Sequence, residues 1–335
     1  MLCNDPRNVQ NDAAIPAFPS LHSSTKRMTR KVPKPTFRPL IFGETLFDHF
    51  PDGSRVLGGA PFNVAWHLRG FRANPLMITA VGRDAEGEEI LDRMARWGMD
   101  TSGVQIHPSR PTGRVTAHLR NGHPEYQIEA HQAYDAIRKE GLPPIPFLAE
   151  ADVLYHGTLA LREPASSASL DHLRGQTGLR TLVDVNLRAP WWTREEVLDR
   201  LRGTDWVKLN GEEAGLLGGV SASDPVRLEK AGDRFREEFS VHSLVITLGD
   251  QGALALTPEG AFSQAAVQVS EGVDSVGAGD AFAAVLLLGI HQGVDVAEVL
   301  RRASSFAADV CRIRGATTED PDLYDRHLRR WQDVT

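Results

Sequence analysis

Residues 274–282 read DSVGAGDAF, two glycines and a carboxylate set just ahead of a long apolar run, AFAAVLLLGI at 281–290. Gly277 and Gly279 allow close backbone approach and unusual dihedrals, and the N–H groups around them and at a helix start would point outward without partners. Such a turn favours an anion. Asp280 would lie beside a bound phosphate and could accept a proton from an attacking hydroxyl. The same residues also describe a plain strand-to-helix turn with Asp280 as its N-cap. On this segment alone the two readings stand level. No GxxxxGK[ST] occurs, and GxGxxG, HRD and DFG are absent, so phosphoryl transfer would need an architecture other than a Walker loop or a protein kinase.

Other segments carry polar groups at suggestive places. Asp48, closing GETLFD (43–48), could accept hydrogen bonds from a diol or simply sit in the turn beside Pro51-Asp52-Gly53. Gly58 and Gly59 let a backbone approach closely, and Asn63 offers both donor and acceptor. KLNGEE (208–213) sets Glu213 three residues after Asn210, which also describes a helix start with acidic first-turn residues. VITLGDQGAL (245–254), with Thr247, Gly249 and Gly252, reads as a strand and glycine loop or as a ligand-free hairpin. Arg188, in VDVNLRAPWW (183–192), could contact an acceptor or a moving phosphoryl group, or end a strand in a salt bridge to Asp184 or Glu213.

Taken together, these segments resemble the PfkB, or ribokinase-like, carbohydrate kinases. DSVGAGDAF is similar to the family's C-terminal signature, with Ser275 where Thr is usual, and GGAPFNVAWHLRGF (58–71) to its N-terminal signature. The resemblance runs from about residue 39 to 330. It implies Asp280 as catalytic base beside the anion hole of Gly277, Ala278 and Gly279, and a sugar held by Asp48, Gly58, Gly59, Asn63 and Arg188. It implies ATP bound by Asn210, Thr247, Gly249, Gly252, Gly277 and Gly279. Glu213 would hold Mg2+ through water, and Asp274 with the carbonyl of Val276 would be monovalent-cation (K+) ligands. The Asp-x-Asn-x-Arg segment at 184–188 is similar to that of fructokinases and 2-keto-3-deoxygluconate kinases. Ketodeoxygluconate kinases usually carry Tyr-x-Arg in the lid, where this chain has Tyr126-Gln127-Ile128, so fructose is the sugar the resemblance points to. Ribose, a nucleoside or ketodeoxygluconate are the alternatives, and an idle sugar- or nucleotide-binding regulator is the alternative of another class. The retained Asp280 and Asn210/Glu213 speak against a mere binding module.

These residues need elements to position them. Short β-branched runs at 39–44, 75–82, 152–159, 181–186, 205–210 and 243–249 read as buried strands. Helical periodicity marks 61–71, 86–98, 195–203, 225–239, 281–293 and 296–314. The alternation implies right-handed crossovers and a mostly parallel α/β sandwich, three-layered by the resemblance. Segments 45–57 and 104–132 break it with polar/apolar alternation, 113–130 reading as a hairpin turning at Asn121-Gly122. They are expected to form a small β lid, whose open edges a homodimer would cover.

Composition bounds the rest. The 335 residues, 41% hydrophobic and 24% charged, suffice for a real core. A formal charge of −7 without a basic stripe argues against nucleic acid. Cys3 and Cys311 form no metal or disulfide pattern, consistent with a reducing, cytoplasmic setting. No membrane span is expected, because the 281–290 run is about half of what a bilayer needs. Residues 1–36, rich in Pro, Ser, Asn and Thr, read as a disordered extension ahead of a kinase domain at 37–333.

Overall fold

The structure, a computed structural model, describes residues 37–120, 123–144, 151–219, 225–269 and 274–332. The extension expected at 1–36 and the Asn121-Gly122 turn lie outside the described residues.

The first apolar run forms β1 (Leu40–Phe42), after which the chain leaves the main sheet for β2 (Leu46–His49) and β3 (Arg55–Gly58). Helix α1 (Ala60–Gly70) follows at once, with Pro61 in its first turn, where a missing N–H does no harm. A βαβ unit comes next: β4 (Leu76–Gly82), α2 (Ala85–Arg96) and β5 (Val104–His107). The Asp84 carboxylate caps α2 by accepting from Gly87 N at 2.8 Å. The hairpin of β6 (Gly113–Arg120) and β7 (His123–Ile128) then interrupts the alternation. It resumes with β8 (Val153–His156), α3 (Pro164–Thr177), β9 (Arg180–Asp184), α4 (Arg194–Leu201) and β10 (Trp206–Asn210). Helices α5 (Gly211–Gly218) and α6 (Pro225–Phe239) lead to β11 (Ser243–Thr247), β12 (Ala253–Thr257) and β13 (Gly260–Gln264). Helices α7 (Ala278–Gln292), α8 (Val296–Val310) and α9 (Pro321–Gln332) complete the described chain.

Nine strands form one sheet in the order β13-β12-β11-β10-β9-β8-β1-β4-β5. It is parallel from β11 to β5, with β12 and β13 antiparallel at one edge. Successive side chains point to opposite faces. Ile41, Met77 and Leu182 pack with Phe62, Val285 and Leu300 of α1, α7 and α8 on one side. On the other, Phe42 and Ile78 meet Leu170 and Leu173 of α3, while Leu209 and Ile246 meet Leu198, Leu217 and Leu228 of α4, α5 and α6. The result is the expected three-layer α/β sandwich, and the 281–290 run is the buried heart of α7. Among the described residues no helix is long and apolar enough to cross a membrane.

A second sheet of four strands, β3-β2-β6-β7, stands apart from the first. The stretch expected at 45–57 supplies β2 and β3. The stretch expected at 104–132 starts too early: β5 pairs parallel to β4, Thr79 opposite Val104, in the large sheet. Helix α2 carries the chain across that sheet, and an edge strand covered on one face shows the same alternation as a hairpin strand. The small sheet therefore takes its second half from Gly113 onward.

Helices α3 and α9 went unmarked by periodicity. The inner face of α3 mixes serines with Leu170 and Leu173, which blurs the apolar period: Ser166 Oγ donates to Tyr134 O and accepts from Ile137 N, and Ser169 Oγ donates to Ile137 O. In α9 the buried stripe includes Tyr324 and His327, whose rings, with His67 and Phe71, surround Phe306 at 4.7–5.7 Å between centroids. Phe306 is wholly buried. Phe306→Ala should lower the unfolding free energy by about 3–5 kcal/mol in urea titration; a loss under about 1 kcal/mol would mean that this aromatic cluster does not hold α8 and α9 to α1.

Candidate active site

The chain reaches α7 through Gly277, whose φ of 77° lies in the left-handed region. A Cβ there would fall 2.4 Å from Ala316 Cβ and 2.5 Å from its Cα, so both conformation and space require glycine. The loop after α8 approaches this turn through Ala316. Gly277 is the N-cap of α7 and no side chain caps the helix. The N-cap reading of Asp280 is thereby excluded: it is the third residue of the helix. Ala278 N donates to Ser275 O at 3.3 Å and Asp280 stands in the first turn, so the start of α7 that Ala278 and Gly279 turn to the cleft has no capping side chain but carries a carboxylate of its own.

The Asp280 carboxylate turns instead to α1, where Asn63 Nδ2 donates to its Oδ2 at 2.8 Å. Burial pushes the Asp280 carboxyl up to about 6; the Asn63 hydrogen bond opposes this, Asp184 adds to it, and Lys208 and Arg188 oppose it. Asn63, expected among the sugar contacts, is only 5% exposed and holds the base, its amide oxygen being buried without a protein partner. Gly59, φ 108°, lets the start of α1 cross the end of β1, since a Cβ would stand 2.6 Å from Glu44 O.

Asp48 projects from β2 beside Gly58, where a Cβ would meet its Oδ2 at 3.5 Å. Burial raises the Asp48 carboxyl to about 6, against the pull of Arg188. Glu44 was not anticipated, although it stands in the same GETLFD segment. It is 4% exposed, and burial lifts its carboxyl to about 7 in spite of a hydrogen bond from its own backbone and the charge of Arg188. The charge of Arg188 thus opposes the rise of all three carboxyls, Glu44, Asp48 and Asp280. The salt bridges that offered Arg188 a structural role do not form: Asp184 is held by Lys208 and Glu213 by backbone N–H groups. Arg162, which nothing in the sequence marked, forks both oxygens of Asp135 at 2.7 Å and lies 4.3 Å over the ring of Trp191, fixing the foot of the small sheet.

On the other side of the α7 N-terminus lies a cleft of about 960 Å³. Its lining brings together Asn210, Thr247, Gly249, Gly252 and Gly279, five of the six residues expected at the nucleotide, with Asp274, expected at a monovalent cation; Gly277, the sixth, is not part of the lining. Gly252, φ 106°, would clash at 2.0 Å with Gln264 O if it bore a Cβ, so β12 and β13 can close tightly behind the cleft. Asn210 and Glu213 form a capping box on α5: Glu213 N donates to Asn210 Oδ1 at 2.9 Å and Asn210 N to Glu213 Oε2 at 2.8 Å. Leu187 N donates to Glu213 Oε1 at 2.7 Å, so Glu213 also fixes the loop bearing Arg188. Asp274 Oδ1 accepts from Val276 N at 3.0 Å, while the Val276 side chain is exposed.

A polar pole of carboxyls and a glycine-walled cleft therefore meet at one helix N-terminus. Residues 38–323 match the model of the pfkB family carbohydrate kinases. The chain belongs to that family. It is a sugar kinase, a phosphotransferase with an alcohol acceptor. Fructokinase-2 of Oryza sativa is 25% identical over 289 residues, covering 79% of this chain and 84% of that one. The fructokinase of Xylella fastidiosa, solved with bound ATP, superposes with a TM-score of 0.75 at 20% identity over 89% of this chain and 98% of that one. The 2-dehydro-3-deoxygluconokinase of Thermotoga maritima gives 0.76 at 18% identity, over 88% and 98%. At these identities the solved structures establish the fold, and relatives of differing substrate share it.

The resemblance implies Asp280 as the base, and a base there would have to be ionised. As pH falls through about 6 it gains a proton, and Asp48 titrates in the same range. The kcat/KM of sugar phosphorylation should therefore drop about tenfold or more per unit below that point; a profile flat to about pH 5 would remove Asp280 from the base role.

Proposed function

We propose that this kinase transfers the γ-phosphoryl group of ATP to a primary hydroxyl of a small neutral sugar, fructose being the first candidate. The observation that carries the reading is the Asp280 carboxylate, anchored by Asn63 where the N-terminus of α7 opens between the polar pole and the cleft. The acceptor is oriented by Asp48, Arg188 and the backbone at Gly58 and Gly59. Its hydroxyl donates to Asp280 Oδ1, the oxygen Asn63 leaves free, and the proton passes there as the oxygen attacks in line. N–H groups at residues 277–280 take up the charge that develops on the phosphoryl oxygens.

Nucleotide phosphates lie along Asn210, Thr247, Gly249 and Gly252. Among the described residues no three His, Cys, Asp or Glu side chains converge as a metal cluster, so a divalent cation would lean on the phosphates and water. Mg2+ bound there would neutralise phosphate charge, and Glu213, with each oxygen already accepting one N–H, would reach it through water. Asp274 and the Val276 carbonyl would hold K+. The small sheet acts as a lid that excludes water, the competing acceptor.

A neutral acceptor is favoured because Glu44, Asp48 and Asp280 all lie within the electrostatic reach of Arg188, while Arg162 is engaged by Asp135. An acid such as ketodeoxygluconate would meet mostly negative charge, and no arginine follows Tyr126 at position 128. The name of the rice relative agrees with fructose. ADP release should be fastest with fructose among fructose, ribose, adenosine and ketodeoxygluconate, and Asp280→Asn should lower kcat by about 10²–10⁴-fold with sugar binding retained. Turnover of that variant near the parent's rate, or a faster reaction with the acid, contradicts the reading.

A further inference from the structure

Lys208 lies on β10, two residues before Asn210, yet it is 5% exposed. Its Nζ stands 2.9 Å from both oxygens of Asp184 on the neighbouring β9, and the two side chains are 6% and 3% exposed. Tyr155 completes the set from β8, its hydroxyl donating to Asp184 Oδ2 at 3.3 Å. An ion pair this deep gains little net stability, because desolvation offsets the attraction, and well-packed apolar residues would serve a core as well. What lies directly above it is Gly279. A Cβ added there would meet nothing nearer than Lys208 Nζ, at 3.6 Å. Gly279 lines the nucleotide cleft, so only its backbone separates the ammonium from the anion-binding end of α7.

We propose that Lys208, fixed by Asp184 beneath Gly279, is a positioning residue whose buried positive charge draws the terminal phosphoryl group of the nucleotide into the N-terminus of α7. The inference rests on the reading that this helix end receives that group. Two of the ammonium's three protons face Asp184, and the third is left for the side where Gly279 has no side chain. Asp184 offsets part of the ammonium's charge, but the ammonium is the pole nearer Gly279, so the remaining field of the buried pair is little screened there and adds to that of the helix end. Asp184 has a second effect: by engaging Lys208 it stays out of reach of Arg188, which is left facing the acceptor pole.

The test uses the full-length protein and two variants, Lys208→Met and the charge-neutral double Lys208→Met/Asp184→Asn, which leaves no orphaned carboxylate in the core. Calorimetry with an ATP analogue whose γ-phosphoryl is joined by nitrogen, and with AMP, reads the part of the affinity owed to the outer phosphates. Both variants should lose about tenfold or more in analogue affinity and less than about twofold in AMP affinity. Unfolding curves show whether the single variant folds; if it does not, the double carries the measurement. An unchanged ratio of analogue to AMP affinity in a folded variant overturns the role and leaves the pair structural. Because this readout needs no sugar, it stays decisive even if the unaltered protein phosphorylates none of the acceptors tried, an outcome that would instead sink the proposed function. Conversely, fructose phosphorylation by the parent with an unchanged ratio in the variants removes only the role of Lys208.

Discussion

The hydrogen bond from Asn63 to Asp280 joins residues 217 positions apart and is the contact on which the site depends. It requires the N-termini of α1 and α7 to meet, and the glycines make that meeting sterically feasible. Gly59 lets α1 begin against the end of β1, and Gly277 lets α7 begin against the loop at Ala316. Burial drives the proton affinity of the Asp280 carboxylate up, and the Asn63 amide with the Lys208 and Arg188 charges keeps it ionisable near neutrality. A base in that range is strong enough to accept a hydroxyl proton and weak enough to stand unprotonated.

The charges around it fall into two groups with different duties. Lys208 with Asp184 and Arg162 with Asp135 are paired, desolvated and fixed. Glu44, Asp48 and Asp280 lie within the electrostatic reach of Arg188, at the pole where a polyol can complete their hydrogen bonds. Glu213 belongs to the structural side, tying Asn210 and the Arg188 loop together through three backbone contacts. The small sheet brings Asp48 to this pole from outside the main fold, so under the proposed function acceptor binding and water exclusion would be one event.

Much of this was legible in the sequence wherever a single residue type is required by the backbone. Gly59, Gly252 and Gly277 occupy left-handed or crowded positions, and the motif neighbours of Gly252 and Gly277 line the cleft. The strands were legible because each is a short apolar run between helices. What stayed hidden depended on partners far along the chain. Asn63, with both donor and acceptor, does not name its partner until α7 is placed beside it, and Lys208, in a run that reads as a buried strand, does not name Asp184 as its counter-ion. Glu44 reads as the polar end of a strand; its burial comes from α1 and α7 closing over it. The α3 face was unreadable by apolar period because serines hydrogen-bonded to the 133–137 turn stand among its leucines.

The most direct test is a crystal structure of the protein with a non-transferable ATP analogue and fructose bound together. The account predicts the γ-phosphoryl group on the N–H groups of Gly279 and Asp280, with the sugar's primary hydroxyl oxygen about 2.6–3.2 Å from Asp280 Oδ1. Phosphates seated away from the start of α7, or a hydroxyl closer to Glu44 or Asp48 than to Asp280, would contradict it.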